Sequence, residues 1–170
     1  VLAEIVPQRE SGFERSLLGD WEFQELLWHS RIGTQVRLAQ LWRTGTFHVM
    51  QFFPRNRDGR LAYKNATEAL QRIGRGDCPF VIGFGHLLPA PAADCVVLEF
   101  AASGSVEAHF PRIAGVHASE EQARFILAEL ACALDFIHRR GVLHFGVFAR
   151  HILLDAAGHV RLAGFSHAVL

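Results

Sequence analysis

A chain of 170 residues, 50% of them hydrophobic, carries enough apolar material for one ordinary domain with a core. Seventeen basic residues balance 17 acidic ones in runs of mixed sign, which excludes any charge-based expectation of nucleic acid or a membrane surface as partner. No apolar run approaches the roughly 18 residues of a spanning helix, no signal-peptide layout opens the chain, and Cys78, Cys95 and Cys132 suggest neither a disulfide framework nor a zinc site, so a cytoplasmic or otherwise intracellular setting is expected.

In chain order, residues 1–19 mix apolar and charged residues without a period, and Pro7 and Ser11-Gly12 interrupt them; they read as a leader or linker. Strand-like alternation begins at Trp21 and recurs in WEFQELL (21–27), TQVRLAQLW (34–42) and TFHVMQFF (46–53), three antiparallel strands. A polar stretch with Pro54, Arg57, Asp58 and Gly59 leads to a helix over about 65–73, with Asn65 or Thr67 as candidate cap. Gly74-Arg75-Gly76 follows that helix rather than a strand and reads as a helix stop, not a phosphate loop. Two further strands, PFVIGFGHLL (79–88) and CVVLEF (95–100), are joined by the loop LPAPAAD.

Beyond Phe100 the composition turns small and flexible, and Ala101 to Gly104 reads as a hinge linker. The best-marked element is the helix after Ser119, an N-cap with Gln122 three residues on, Glu120 and Glu121 in the first turn, His138, Arg139 and Arg140 in the last, and Gly141 beyond. Its apolar stripe is Phe125, Ile126, Ala128, Leu130, Ala133, Leu134 and Ile137. A loop then leads to two short apolar runs, Ile152 to Leu154 and Val160 to Leu162, flanking the turn Asp155-Ala-Ala-Gly158, a β-hairpin. Trp21, Trp28 and Trp42 are assigned to core packing ahead of a partner surface, and Arg55, Arg57, Arg60, Arg72 and Arg75 to solvated surface.

The loop from Gly141, the hairpin and the closing Gly164-Phe165-Ser166 resemble the catalytic loop and metal-binding segment of protein kinases. The order of three strands, helix, two strands, hinge, long helix, loop and hairpin is that of a kinase small lobe and the start of the large lobe. Trp21-Glu-Phe23, Val36-Arg-Leu-Ala39 and SEEQARF (119–125) are similar to the AGC group. The resemblance implies an α+β fold: a five-stranded antiparallel sheet with one helix over 20–98, hinge and short helix or loop over 99–118, and the first part of a helical lobe over 119–170. It also implies that the activation loop and later large-lobe helices would follow Leu170. Lacking them, the long helix would go without its usual cover, which foresees marginal stability, a partner, a longer native chain, or a remnant without independent function.

Residue by residue, the resemblance keeps the frame and loses the chemistry. His144 matches the family's loop His, but Phe145 stands for its Arg and Gly146 for the Asp that accepts the substrate proton. Phe148 stands for the loop Lys, His151 for the metal-binding Asn, Gly164 for the metal-binding Asp, and Gln51 for the Lys that grips the α- and β-phosphates. The phosphate-loop glycines fall on His29, Arg31 and Thr34, with Gly33 one residue off; the Lys partner falls on Glu68 or Ala69. The apolar positions survive: Ile73, Phe84, His144 and Phe165 as one stack, and Val36, Val49, Val106 and Leu153, with Leu98 and the hinge Glu99-Phe100, as a vestigial adenine pocket. Catalytic residues are therefore expected to be absent, with no magnesium site, no required cofactor (ATP being the one candidate), and a protein as partner. His138, His144 and His151 match no metal-ligand spacing.

Overall fold

The computed structural model of the chain describes residues 18–89, 92–110 and 117–170. Most of the stretch read as a leader thus lies outside the described residues, as does part of the Pro/Ala loop. The described residues fall into two compact units, one from 18–64 with 84–100 and one from 65–83 with 101–170.

In the first unit, alternation gives β1 (Trp21–His29), β2 (Gln35–Leu41), β3 (Phe47–Pro54), β4 (Phe84–Pro89) and β5 (Ala93–Glu99). They form one antiparallel sheet of order β1-β2-β3-β5-β4. Period-two geometry puts Met50 and Phe52 of β3 with Cys95 and Val97 of β5 on one face, where they join Ala39, Leu88 and Ala93 in a buried cluster capped by Leu18, Trp21 and Phe23. The five strands match the expectation, but β4 starts at Phe84, because residues 79–83 belong to the other unit.

Helix α1 and the tryptophans also depart from the sequence expectation. Helix α1 runs Arg57–Ile73, so Asn65 and Thr67 lie inside it. Its cap is Asn56, whose Oδ1 accepts from Gly59 N at 2.7 Å. Gly59 reads as a loop residue but sits in the first helical turn, where a Cβ would meet the Pro54 carbonyl and ring. Trp28 is exposed and Trp42 is 75% exposed, so of the three tryptophans Trp21 alone packs against the core cluster.

In the second unit, β6 (Gly104–Ser105), β7 (Ile152–Leu154) and β8 (Val160–Leu162) form a small sheet of order β6-β7-β8. The supposed hinge linker therefore ends in a strand, Gly104 pairing with Leu154 and Ser105 with Leu153. Ser105 also caps the short α2 (Val106–His109). Helix α3 (Glu120–Arg139) carries the full capping box, Ser119 N to Gln122 Oε1 at 2.9 Å and Gln122 N to Ser119 Oγ at 3.1 Å. It ends as a Schellman motif: Gly141 has φ 68°, its amide donates to His138 O at 2.8 Å, and Val142 N donates to Ile137 O at 3.0 Å.

The buried face of α3 differs from the expected stripe. Leu130, Ala133 and Ile137 are buried, while Phe125 and Ala128 are exposed. Glu129 is buried instead, its Oε2 accepting from Val160 N at 2.8 Å and its Oε1 from His159 Nδ1 at 2.7 Å. A carboxylate with two donors can be buried where an unpaired one cannot. Residues 80–82 tie into β8 through Leu162 N to Phe80 O at 2.8 Å and Ile82 N to Leu162 O at 3.0 Å. Among the described residues no helix is long and apolar enough to cross a membrane.

Candidate functional site

On the first unit, register brings four of the singled-out residues to one face. Gln51 pairs with Val36 and Val49 pairs with Leu98; residues directly opposite share a face, as do positions 49 and 51. Glu99 ends β5 opposite His48, and Phe100 follows it against the Phe47 ring at 6.2 Å. The face is apolar with one amide where a cation is expected from the resemblance. The turn between β1 and β2 engages three of its amides internally: Ser30 N donates to Thr34 O at 2.9 Å, Gly33 N to Ser30 O at 3.1 Å and Thr34 N to Ser30 Oγ at 3.0 Å. Amides engaged in this way are not presented to a phosphate. Of the two candidates for the Lys partner, Glu68 lies on the exposed side of α1 and Ala69 is fully buried.

On the second unit, the pairing of Ser105 with Leu153 brings Val106, at the start of α2, near Leu153. His144 is 2% exposed and meets Phe165, also buried, edge to face at 4.7 Å, as the surviving apolar stack implies. Ile73 is buried in this unit; Phe84 is half-buried in the other.

The loop between α3 and β7 is held by its two histidines. Gly146 N donates to His144 Nδ1 at 3.1 Å, so that nitrogen is unprotonated and Nε2–H is the donor to Ala163 O at 3.0 Å. Burial holds the His144 pKa down to about 4, against the opposing pull of the Ala163 carbonyl, with the neighbouring His151 and His167 lowering it further. His151 is the opposite tautomer: its Nδ1–H donates to Gly146 O at 2.6 Å. Burial, the largest influence, lowers its pKa as well, against the pull of the Gly146 carbonyl.

Gly164 lies beside this ring with φ 87°. A Cβ there would stand 2.5 Å from His151 Cγ, 2.6 Å from Nδ1 and 2.7 Å from Cδ2, distances real Cβ atoms do not show. At Gly146 the same test finds only ordinary contacts, 3.6 Å to His144 and His167 and 3.7 Å to Gly164 O. The two substituted glycines thus differ: position 146 has room for a side chain and position 164 has none while His151 is in place. The resemblance singles out both positions, but not the ring that fills one of them.

Phe145 holds the left-handed φ of 51° and is exposed. The Phe148 ring meets His151 at 5.6 Å, and the Arg150 guanidinium lies over Phe148 at 4.2 Å. Leu143, Phe145 and Val147, with Leu134 and His138 of α3, border a shallow apolar hollow of about 260 Å³.

These residues do not fit a magnesium ion. That ion is a hard cation that takes oxygen ligands in octahedral geometry, whereas position 164 has no side chain and the Nδ1 proton of position 151 is bound to a carbonyl. Among the described residues no three His, Cys, Asp or Glu are grouped to hold a metal.

A sequence profile described as "Protein kinase domain" matches residues 32–170. Among curated proteins, G protein-coupled receptor kinase 2 of Drosophila melanogaster is 34% identical over 103 residues, 60% of this chain and 14% of that protein. Atypical protein kinase C of Drosophila melanogaster is 32% identical over 87 residues, 51% of this chain and 14% of that one. Serine/threonine-protein kinase sax-1 of Caenorhabditis elegans is 28% identical over 155 residues, 89% of this chain and 31% of that protein. The chain therefore spans between 14% and 31% of the length of these relatives.

Proposed function

This chain belongs to the protein kinase family, similar within it to AGC-type enzymes, and on that premise we propose that it is a catalytically inactive kinase domain serving inside the cell as a protein-interaction or regulatory module. The observation that carries the reading is the imidazole of His151 against Gly164, at 2.5 Å from where a side chain would begin. Phosphoryl transfer is largely positioning and neutralisation of charge on the transferred group. Gln51, Gly146 and Gly164 supply no charge at the three positions where the family has a Lys and two Asp, and His151 replaces the oxygen ligand of the family's Asn. The apolar frame is kept, with His144 stacked on Phe165, and a preserved frame without its electrostatics suits a surface that other proteins read. The exposed Leu143, Phe145, Val147 and Phe148 offer apolar area to such a partner.

The test is a thermal melt of the chain with and without ATP, in magnesium and in chelator, followed by circular dichroism. A ligand of the native state at 100 times its dissociation constant adds about 2.7 kcal/mol. The expected result is no shift in either buffer and no transfer of labelled phosphate to a generic substrate. A shift that requires magnesium would overturn the proposal. A second reading, residual adenine binding without metal, is favoured by Val36, Val49 and Leu98 sharing one sheet face; it requires an equal shift in magnesium and in chelator.

A further inference from the structure

Four hydrogen bonds around the loop close on themselves. Gly146 N–H donates to His144 Nδ1 at 3.1 Å, His144 Nε2–H to Ala163 O at 3.0 Å, Ala163 N–H to His151 O at 2.9 Å, and His151 Nδ1–H to Gly146 O at 2.6 Å. Each residue gives one bond and receives one, all in the same sense around the ring, and across the conjugated His144 imidazole the bond accepted at Nδ1 strengthens the one donated from Nε2. The ring joins the loop (Gly146), the approach to β7 (His151) and the segment after β8 (Ala163). Residue 164, next to Ala163, is where the ring of His151 leaves no space for a Cβ.

We propose that His151 is an internal substitute for the cation that members of this family hold between the positions of His151 and Gly164: it cross-links loop to hairpin from within the chain and excludes both the ion and the carboxylate that would bind it. Restoring an aspartate at position 164 alone then does not recreate a metal site; it collides with the substitute. Removing the ring first changes the outcome. His151→Ala deletes the bond to Gly146 O and so destabilises the wild-type chain, yet it removes Cγ, Nδ1 and Cδ2, the atoms that occupy the volume an aspartate at position 164 needs, and Asp is among the residues that tolerate a positive φ. The effect of one substitution therefore reverses sign with the residue at the other position. The inference rests on reading these two positions as the family's metal positions, but its test is scored on stability.

The experiment is a double-mutant cycle on the full chain, with melting temperatures for wild type, Gly164→Asp, His151→Ala and the double variant. Gly164→Asp is expected to melt roughly 5 °C or more below wild type, His151→Ala below wild type, and the double variant above Gly164→Asp. Where Gly164→Asp yields no folded protein, Gly164→Ala and His151→Ala/Gly164→Ala read the same collision, and recovery of folded protein in the pair counts as rescue. Long-range nitrogen–proton spectra of wild type are expected to show Nε2–H on His144 and Nδ1–H on His151, unchanged by magnesium or chelator. Additive penalties, a Gly164→Asp variant as stable as wild type, or a failed rescue in both pairs would defeat the proposal. So would tautomers that change with magnesium. A magnesium-dependent shift with ATP in the melt described above defeats the inactive reading while leaving the sign reversal standing, so the two failures are distinct.

Discussion

His144 shows at the scale of one residue how burial decides chemistry. Its neutral ring makes two bonds, one as acceptor and one as donor, and a second proton would force out the Gly146 amide. With a folded pKa of about 4 against an ordinary 6.5, the unfolded chain binds the extra proton first as pH falls. Stability from this group is complete above about pH 6.5 and lost progressively toward pH 4, by about 3 kcal/mol at most. Urea midpoints measured from about pH 7 to about pH 4.5 should fall in wild type and fall less in His144→Phe, which keeps the stack on Phe165 without the titrating ring. Gly146 makes the opposite case. A Cβ there meets only ordinary contacts and no positive φ opposes it, so Gly146→Ala should change stability by no more than about 1 kcal/mol, in the stabilising direction. Both positions stand out in the sequence because the loop and hairpin keep the family's spacing. The collision at Gly164 is not legible there, since it joins residues on opposite sides of the hairpin and depends on the rotamer that the Gly146 carbonyl selects.

At the scale of elements, legibility tracked agreement among signals. Helix α3 has a cap, acidic first turn, basic last turn and a closing glycine, and its ends lie where these place them. Removing its cap by Ser119→Ala should cost about 1 kcal/mol in urea unfolding. In α1 the signals conflict, because the glycine that suggests a loop is required by the close approach of Pro54 to the first turn. The Asn56 cap went unread for the same reason, and Asn56→Ala should cost about as much as the Ser119 change. The burial of Glu129 is hidden in the sequence because an amphipathic pattern counts a carboxylate as outward-facing. Its burial depends on β8, far along the chain, for the donors Val160 N and His159 Nδ1. Glu129→Ala should cost roughly 1–3 kcal/mol, mainly by leaving the Val160 amide buried without an acceptor, again read from urea midpoints. The two-residue β6 carries no periodicity that could announce it; the pairing with β7 creates it.

For the whole molecule, basic and acidic residues balance, and the tryptophan and tyrosine residues are unevenly shared. Trp21, Trp28, Trp42 and Tyr63, all the tryptophan and tyrosine in the chain, belong to the first unit. Tryptophan emission therefore reports that unit alone, and with Trp42 75% exposed most of it should be open to acrylamide. Trp42→Phe is expected to remove the largest quenchable share, and a Trp42→Phe chain that quenches like wild type would contradict the exposed placement. The contact between His151 and Gly164 also has a temporal meaning. An imidazole in this position leaves no room for a side chain at 164, so substitutions at the two positions are accommodated in one order only, position 151 before position 164.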